Sequence, residues 1–275
     1  MKIVFIFMII SFLISICGYQ NVIVKKYKIK SHKIHHPIRI GVISDLHGTR
    51  YGLHQETLIK MILKQDVDVI VMVGDLVDEY SGFDEIVDLL KGIKDIPCYY
   101  VLGNHEISSG KKETMIEFMN QYHVCLLGQK TNMIEIYDTK LLLGGMDDCF
   151  QYGEGKDYRE YLEYFEEDVQ QLSKQVNPDI YSILLSHRPS LTDIYQKTSF
   201  DLIISGHAHG GQWRIPYILN GLYAPDEGLF PRFAGGMYQL SHNQLLVGRG
   251  LVKNILPRFF NPPEFVVIDM KNNES

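Results

Sequence analysis

The chain has no C-x-x-C pair. Its cysteines are Cys17, Cys98, Cys125 and Cys149, and Cys17 sits in an apolar run, which leaves an odd three. Neither a disulfide framework nor a zinc-finger site is indicated. Low-complexity tracts and internal repeats are missing too. A composition of 45% hydrophobic and 22% charged residues in 275 excludes a disordered or collagenous chain and leaves ample material for a core. Acid is absent from residues 1–44, which hold Lys2, Lys25, Lys26, Lys28, Lys30, Lys33 and Arg39. The remainder carries 20 basic against 33 acidic residues, a net of −13. Nucleic-acid phosphates need a basic surface, so a body this acidic excludes nucleic acid as a stable partner and suits one that holds metal cations.

No charge occurs in residues 3–24, and Ile3 to Cys17 is almost entirely Ile, Phe, Val, Leu and Met. As a helix these 22 residues would span about 33 Å, enough for a bilayer core. A retained transmembrane anchor over 1–24 is the favoured reading. A cleaved signal peptide and a lipoprotein signal at Cys17 are the alternatives. Residues 25–37 then read as a basic juxtamembrane linker, and 38–275 as the body. A single-pass cell-membrane protein is expected, and the lysines between 25 and 33 favour a cytoplasmic body.

The body alternates β-rich runs with helical patterns. The β-rich runs lie near 38–44, 67–73, 98–102, 180–185 and 202–205, and each ends in a polar cluster. Helical patterns fall near 54–65, 84–91, 111–121, 158–175 and 189–197, and a hairpin is expected over 133–146. After residue 210 only short strands follow. This is a mixed α/β fold.

The polar clusters carry the chemistry. In α/β sheets, ligands gather outside the carboxyl ends of strands, so residues far apart in sequence can converge there. The clusters offer Asp45, His47, Asp75, Asn104, His187, His207 and His209. Imidazoles, carboxylates and one amide oxygen suit Mn, Fe, Zn or Co. One ion rarely uses seven protein ligands, whereas two ions sharing a bridging carboxylate do.

The ordered set Asp45-x-His47, Gly74-Asp75-x-x-Asp78, Gly103-Asn104-His105-Glu106, Ser186-His187 and Gly206-His207-x-His209 resembles the calcineurin-like metallophosphoesterases over about residues 38–270. The resemblance implies a four-layer α/β/β/α sandwich of two sheets. It implies one ion held by Asp45, His47, Asp75 and His209, and another by Asp75, Asn104, His187 and His207. Residues Gly206–Gln212, Arg249-Gly250-Leu251, Pro257-Arg258-Phe259 and Asn261–Glu264 look like a membrane-associated bacterial subgroup. That subgroup includes phosphodiesterases of the UDP-2,3-diacylglucosamine hydrolase type, hence glycolipid metabolism.

The expected function is therefore dinuclear metal-dependent hydrolysis of a phosphoester or diphosphate, by hydroxide attack in line with the leaving group. The partners are a phosphorylated small molecule or lipid-linked phosphate, and the membrane. His105, oriented by Glu106 or Asp78, is the candidate general acid. Gly210 and Gly211 leave the approach to the metals open, and Gln212 and Arg249 are candidates for binding phosphate oxygens, with a structural ion pair the equal alternative for Arg249. The aromatic and proline-rich stretch from Trp213 to Phe233 reads either as packed core or as an apolar lip for an acyl chain. A soluble-substrate phosphatase and a non-catalytic scaffold on the same fold are the competing readings.

Overall fold

Alternate residues of the central strands face opposite ways, and both directions are apolar. The computed structural model describes Phe5 and residues 21–153, 157–253 and 257–273. The first sheet contains β1 (Ile23–Lys30), β2 (Ile38–Ile43), β3 (Val69–Val73), β4 (Cys98–Val101), β5 (Cys125–Leu126) and β14 (Glu264–Lys271), in the order β1-β14-β2-β3-β4-β5. The second contains β6 (Lys130–Ile136), β7 (Thr139–Met146), β8 (Tyr181–Ser186), β9 (Leu202–Ser205), β12 (Gly236–Gln239) and β13 (Gln244–Val247), in the order β12-β13-β9-β8-β7-β6. A two-stranded ribbon, β10 (Tyr223–Ala224) with β11 (Gly228–Leu229), stands apart. Both large sheets are mixed: β2, β3 and β4 run parallel, as do β7, β8 and β9, and antiparallel strands join beside them.

Val69, Val71 and Val73 pack in one core with Ile183, Leu185 and Ile204 of the other sheet. The sheets are therefore face to face. Ile70 and Met72 point the opposite way, into a core with helices α1 (Glu56–Leu63), α2 (Asp84–Gly92) and α4 (Lys112–Gln121). The short α3 (Asn104–Ser108) starts just after β4. Leu184 and Ile203 face a third core with α5 (Tyr158–Ser173) and α6 (Thr192–Tyr195). The layers are helix, sheet, sheet, helix. Two-sided burial explains why these strands read as continuous apolar runs.

The N-terminal expectation needs correction. Apart from Phe5 and residues 21–24, the expected anchor lies outside the described residues. Among the described residues no helix is long and apolar enough to cross a membrane, so the single-pass cell-membrane placement is not supported. The basic stretch is not a juxtamembrane linker either. Ile23–Lys30 pairs in parallel, residue for residue, with Glu264–Lys271. Beyond it, Lys33 Nζ meets Asp201 at 2.7 Å, and the His35 and His36 N–H groups donate to Thr139 Oγ1. β1 is a sheet edge, and exposed Lys25, Lys26, Lys28 and Lys30 line it. Charged side chains on an edge strand block pairing with another sheet.

Candidate metal centre

Five loops at the carboxyl ends of β2, β3, β4, β8 and β9 meet at one end of the sandwich. Asp45 N–H donates to Gly74 O and His47 N–H to Asp75 O, each at 3.0 Å, so the first two loops are laced together. His207 N–H donates to Asp45 Oδ1 at 2.8 Å and His105 N–H to Asp75 Oδ1 at 2.9 Å. Asp45, His47, Asp75, His207 and His209 all adopt positive φ, from 45° to 65°. Such backbone strain persists only where the surrounding structure enforces it.

The loops bring the expected ligands into two clusters. One holds Asp45, His47 and His209, and the other Asp75, His187 and His207. Within each, one ligand atom per residue lies within 4.8 Å of the others. His47 Nε2 is 3.3 Å from His209 Nε2, and His207 Nδ1 is 3.2 Å from His187 Nε2. Asp75 Oδ2 lies between the clusters, 3.0 Å from His187 Nε2 and 3.8 Å from His47 Nε2. Asn104 Oδ1 and Asp45 Oδ2 are buried without a hydrogen-bond partner. His105 also comes within ligating distance of His47 and Asp75.

These residues fit a divalent cation. Val73 O lies 2.7 Å from His187 Nδ1 and accepts its proton. A neutral His187 then offers only a lone pair at Nε2, facing an Asp75 oxygen. Lone pair and carboxylate repel unless a proton or a cation stands between them. Burial alone would lower the pKa of His187, but Asp75 outweighs it and pushes the metal-free imidazole up to about 10. Burial likewise works against ionised Asp75 and Asp45, yet His187 and His209 hold both well below the usual carboxylate range. Burial brings His209 down to about 4, which keeps it neutral as a ligand must be. The orphaned oxygen of Asn104 has the same remedy in a bound cation.

The surroundings of the clusters differ from expectation in several places. His105 Nδ1 pairs with Glu79 Oε2 at 2.9 Å, not with Glu106 or Asp78. Asp78 instead lies 3.4 Å from His47 Nδ1. Glu106 is fully buried and faces the backbone, accepting N–H groups of Asp75, Leu76, Val77 and Gly103. Gly103 is needed beside it, since a Cβ there would meet Asp75 Oδ1 at 2.2 Å. Arg249 is turned from the site to the buried Glu264, which removes it as a phosphate ligand. Gly210 and Gly211 are buried packing positions: a Cβ would meet the Asn261 side chain at 2.1 Å or Gly221 at 2.4 Å. They do not line an open approach. The Gln212 carbonyl accepts from Asn261 Nδ2, as does the His209 carbonyl, to which buried Arg258 also donates. The C-terminal motifs thus clamp the loop that carries His207 and His209.

Two neighbours of the centre had no counterpart in the sequence reading. Glu79 simply follows Asp78, with no local signal. Asp226 Oδ2 lies 3.1 Å from His207 Nε2. Its Pro-Asp-Glu-Gly setting is a turn signature that marks a hairpin tip but not where the tip lands. In the aromatic stretch, Trp213, Tyr217, Tyr223 and Phe230 are exposed, whereas Pro231 and Phe233 are buried.

Fold and site together define a class: a two-sheet α/β scaffold whose strand ends gather Asp and His in clusters able to hold divalent cations. The sequence model of the calcineurin-like phosphoesterase family matches residues 38–211. The chain belongs to that family of metal-dependent phosphoester hydrolases. It is 28% identical over 266 residues to an uncharacterized metallophosphoesterase of Campylobacter jejuni, covering 91% of this chain and 64% of that one. A Helicobacter pylori relative is 27% identical over 69% of this chain and 49% of its own length. The chain thus spans 49% to 64% of the length of these relatives. The Escherichia coli phosphodiesterase YaeI is 22% identical over 85% of this chain and 82% of its own. A crystal structure from Thermus thermophilus superposes with a TM-score of 0.50 at 12% identity, covering 78% of this chain and 91% of that one, and shares the fold.

Proposed function

We propose that this protein is a dinuclear metal-dependent phosphodiesterase acting on phosphoester or diphosphate bonds. The single observation that carries the reading is the pair of ligand clusters meeting at Asp75. Asp45, His47, Asp75 and His209 would hold one ion, and Asp75, Asn104, His187 and His207 the other. When bound, two divalent cations supply an activated water and neutralise the phosphate oxygens. The imidazole and carboxylate ligands accept Mn, Fe, Zn or Co.

The protein's own residues do the rest. His105 is half-buried at the rim, with Nδ1 held by Glu79. That leaves Nε2 to protonate the departing oxygen or to stabilise its charge. His105→Ala is expected to lower kcat by about 10²-fold or more while two ions stay bound. Loss of metal in this variant would make His105 a ligand instead.

The proposed substrate is a diester or diphosphate carrying an acyl or other apolar chain, of the UDP-2,3-diacylglucosamine type. Exposed Tyr223, Leu229 and Phe230 support this, because Tyr223 and Leu229 pair in the ribbon whose tip touches His207 and Phe230 follows directly. Contiguous exposed apolar side chains commonly mark a binding surface. The metal-loaded protein should hydrolyse bis-(p-nitrophenyl) phosphate faster than p-nitrophenyl phosphate. It should also cleave an acylated diphosphate faster than the same headgroup without its chain. A preference for the monoester would instead favour the soluble-substrate phosphatase. No turnover with two ions bound would favour the scaffold.

A further inference from the structure

Asp226 reaches the metal centre by an unusual route. The chain leaves the His207/His209 loop at Gly211 and makes an excursion through the β10–β11 ribbon. The base of the excursion is pinned to its origin, since Leu222 N–H donates to the Gly211 and Trp213 carbonyls at 2.9 Å. Ala224 pairs with Gly228, which leaves Asp226 in the middle of a three-residue tip. Its φ is 65°, a conformation that Asp tolerates better than most residues. That turn sends the carboxylate back to His207 Nε2, 3.1 Å away.

A second group holds it there. Arg188, next in sequence to His187, contacts Asp226 Oδ2 through Nη1 and donates from Nε to buried Asp148 Oδ2 at 2.7 Å. Its guanidinium lies 4.3 Å over the Phe150 ring. Arg188 is almost wholly buried, so it is fixed structure and not a surface arm.

The two nitrogens of His207 are thereby divided. Nδ1 faces His187 Nε2 at 3.2 Å, inside the cluster with Asp75. Nε2 faces Asp226. A carboxylate on the outer nitrogen of a ligating imidazole fixes its tautomer and ring orientation. Asp78 stands in the same relation to His47 Nδ1 in the other cluster. The two differ in what carries them. Asp78 is three residues from Asp75 on a ligand loop, whereas Asp226 rides a ribbon with exposed Tyr223, Leu229 and Phe230.

We propose that Asp226 is a positioning residue for the metal centre: seated by Arg188, it orients His207 so that the Asp75/His187/His207 cluster holds its ion more tightly. This rests on the two-ion reading above. It implies that the two ions are not equivalent, one steadied from the ligand loops alone and one steadied also from the ribbon.

The test is metal binding by the full chain, titrated from the chelated state with Mn²⁺ and counted by elemental analysis. Wild type should take up two ions. Asp226→Ala should keep the affinity of one and weaken the other by about 10- to 100-fold, the usual cost of losing an outer partner. Asp226→Asn, whose amide oxygen still accepts from Nε2–H, should recover part of that loss. Long-range ¹⁵N spectra should show His207 protonated on Nε2 in wild type and a mixed tautomer in Asp226→Ala. Unchanged affinities, or equal weakening of both ions, would overturn the positioning role. A wild type holding fewer than two ions would overturn the dinuclear reading instead.

Discussion

Asp75→Asn should remove bound metal and turnover together. Asp75 Oδ2 lies 3.0 Å from His187 Nε2 and 3.8 Å from His47 Nε2, so its charge serves both clusters. Its other oxygen accepts the His105 N–H at 2.9 Å. The amide keeps the shape and one acceptor but removes the negative charge. It also offers an N–H₂ group, with no lone pair, toward the imidazoles. Outer partners of a metal ligand are worth about 10- to 100-fold in affinity, and a ligand shared by two ions should exceed that. We expect at least about 10²-fold weaker binding of both ions, with activity falling in step. Elemental analysis after dialysis, run beside a diester assay, measures both. A variant that retains two ions but loses turnover would show that Asp75 acts by some route other than holding metal.

Glu106→Ala should be the most destabilising single change near the site. The carboxylate is fully buried and accepts four backbone N–H groups, at 2.6 to 3.3 Å. Three belong to the loop of Asp75 and one to Gly103, beside Asn104. Truncation leaves all four donors buried and unpaired. Breaking a buried polar network of this kind costs about 3–5 kcal/mol. For a chain of this size, that lowers Tm by roughly 10 °C. Glu106→Gln should fall between, since one acceptor oxygen remains and an N–H₂ now opposes backbone donors. Thermal melts of the chelated protein separate this role from metal binding. A chelated Glu106→Ala that melts with wild type would show that the two loops hold their shape without the brace.

What was legible in the sequence was whatever is written locally. The buried central strands announce themselves because Val69–Val73 and Tyr181–Ser186 are apolar on both faces, and the polar residues ending each run can only lie at a sheet's carboxyl edge. The ligand types follow from those ends. Asp45, His47, Asp75, Asn104, His187, His207 and His209 therefore stand out, although the clusters join loops from two sheets. The roles of their neighbours were decided elsewhere. Glu106 sits in the same motif as Asn104, yet α3 turns it inward to the backbone, while Glu79 from another loop takes the place beside His105. Arg249 meets Glu264 and Asp226 meets His207 only because distant loops close over one another. Ile23–Lys30 read as the end of an anchor and a basic linker, since Lys25, Lys26, Lys28 and Lys30 dominate its pattern, although Tyr27 and Ile29 turn to the core between the sheets. Its partner is β14, at the other end of the chain, and no local pattern encodes a pairing across that separation. Sequence determined which atoms are able to bind metal; tertiary closure determined which carboxylates steady them, because hydrogen bonds and ion pairs depend on distance in space and not on spacing along the chain.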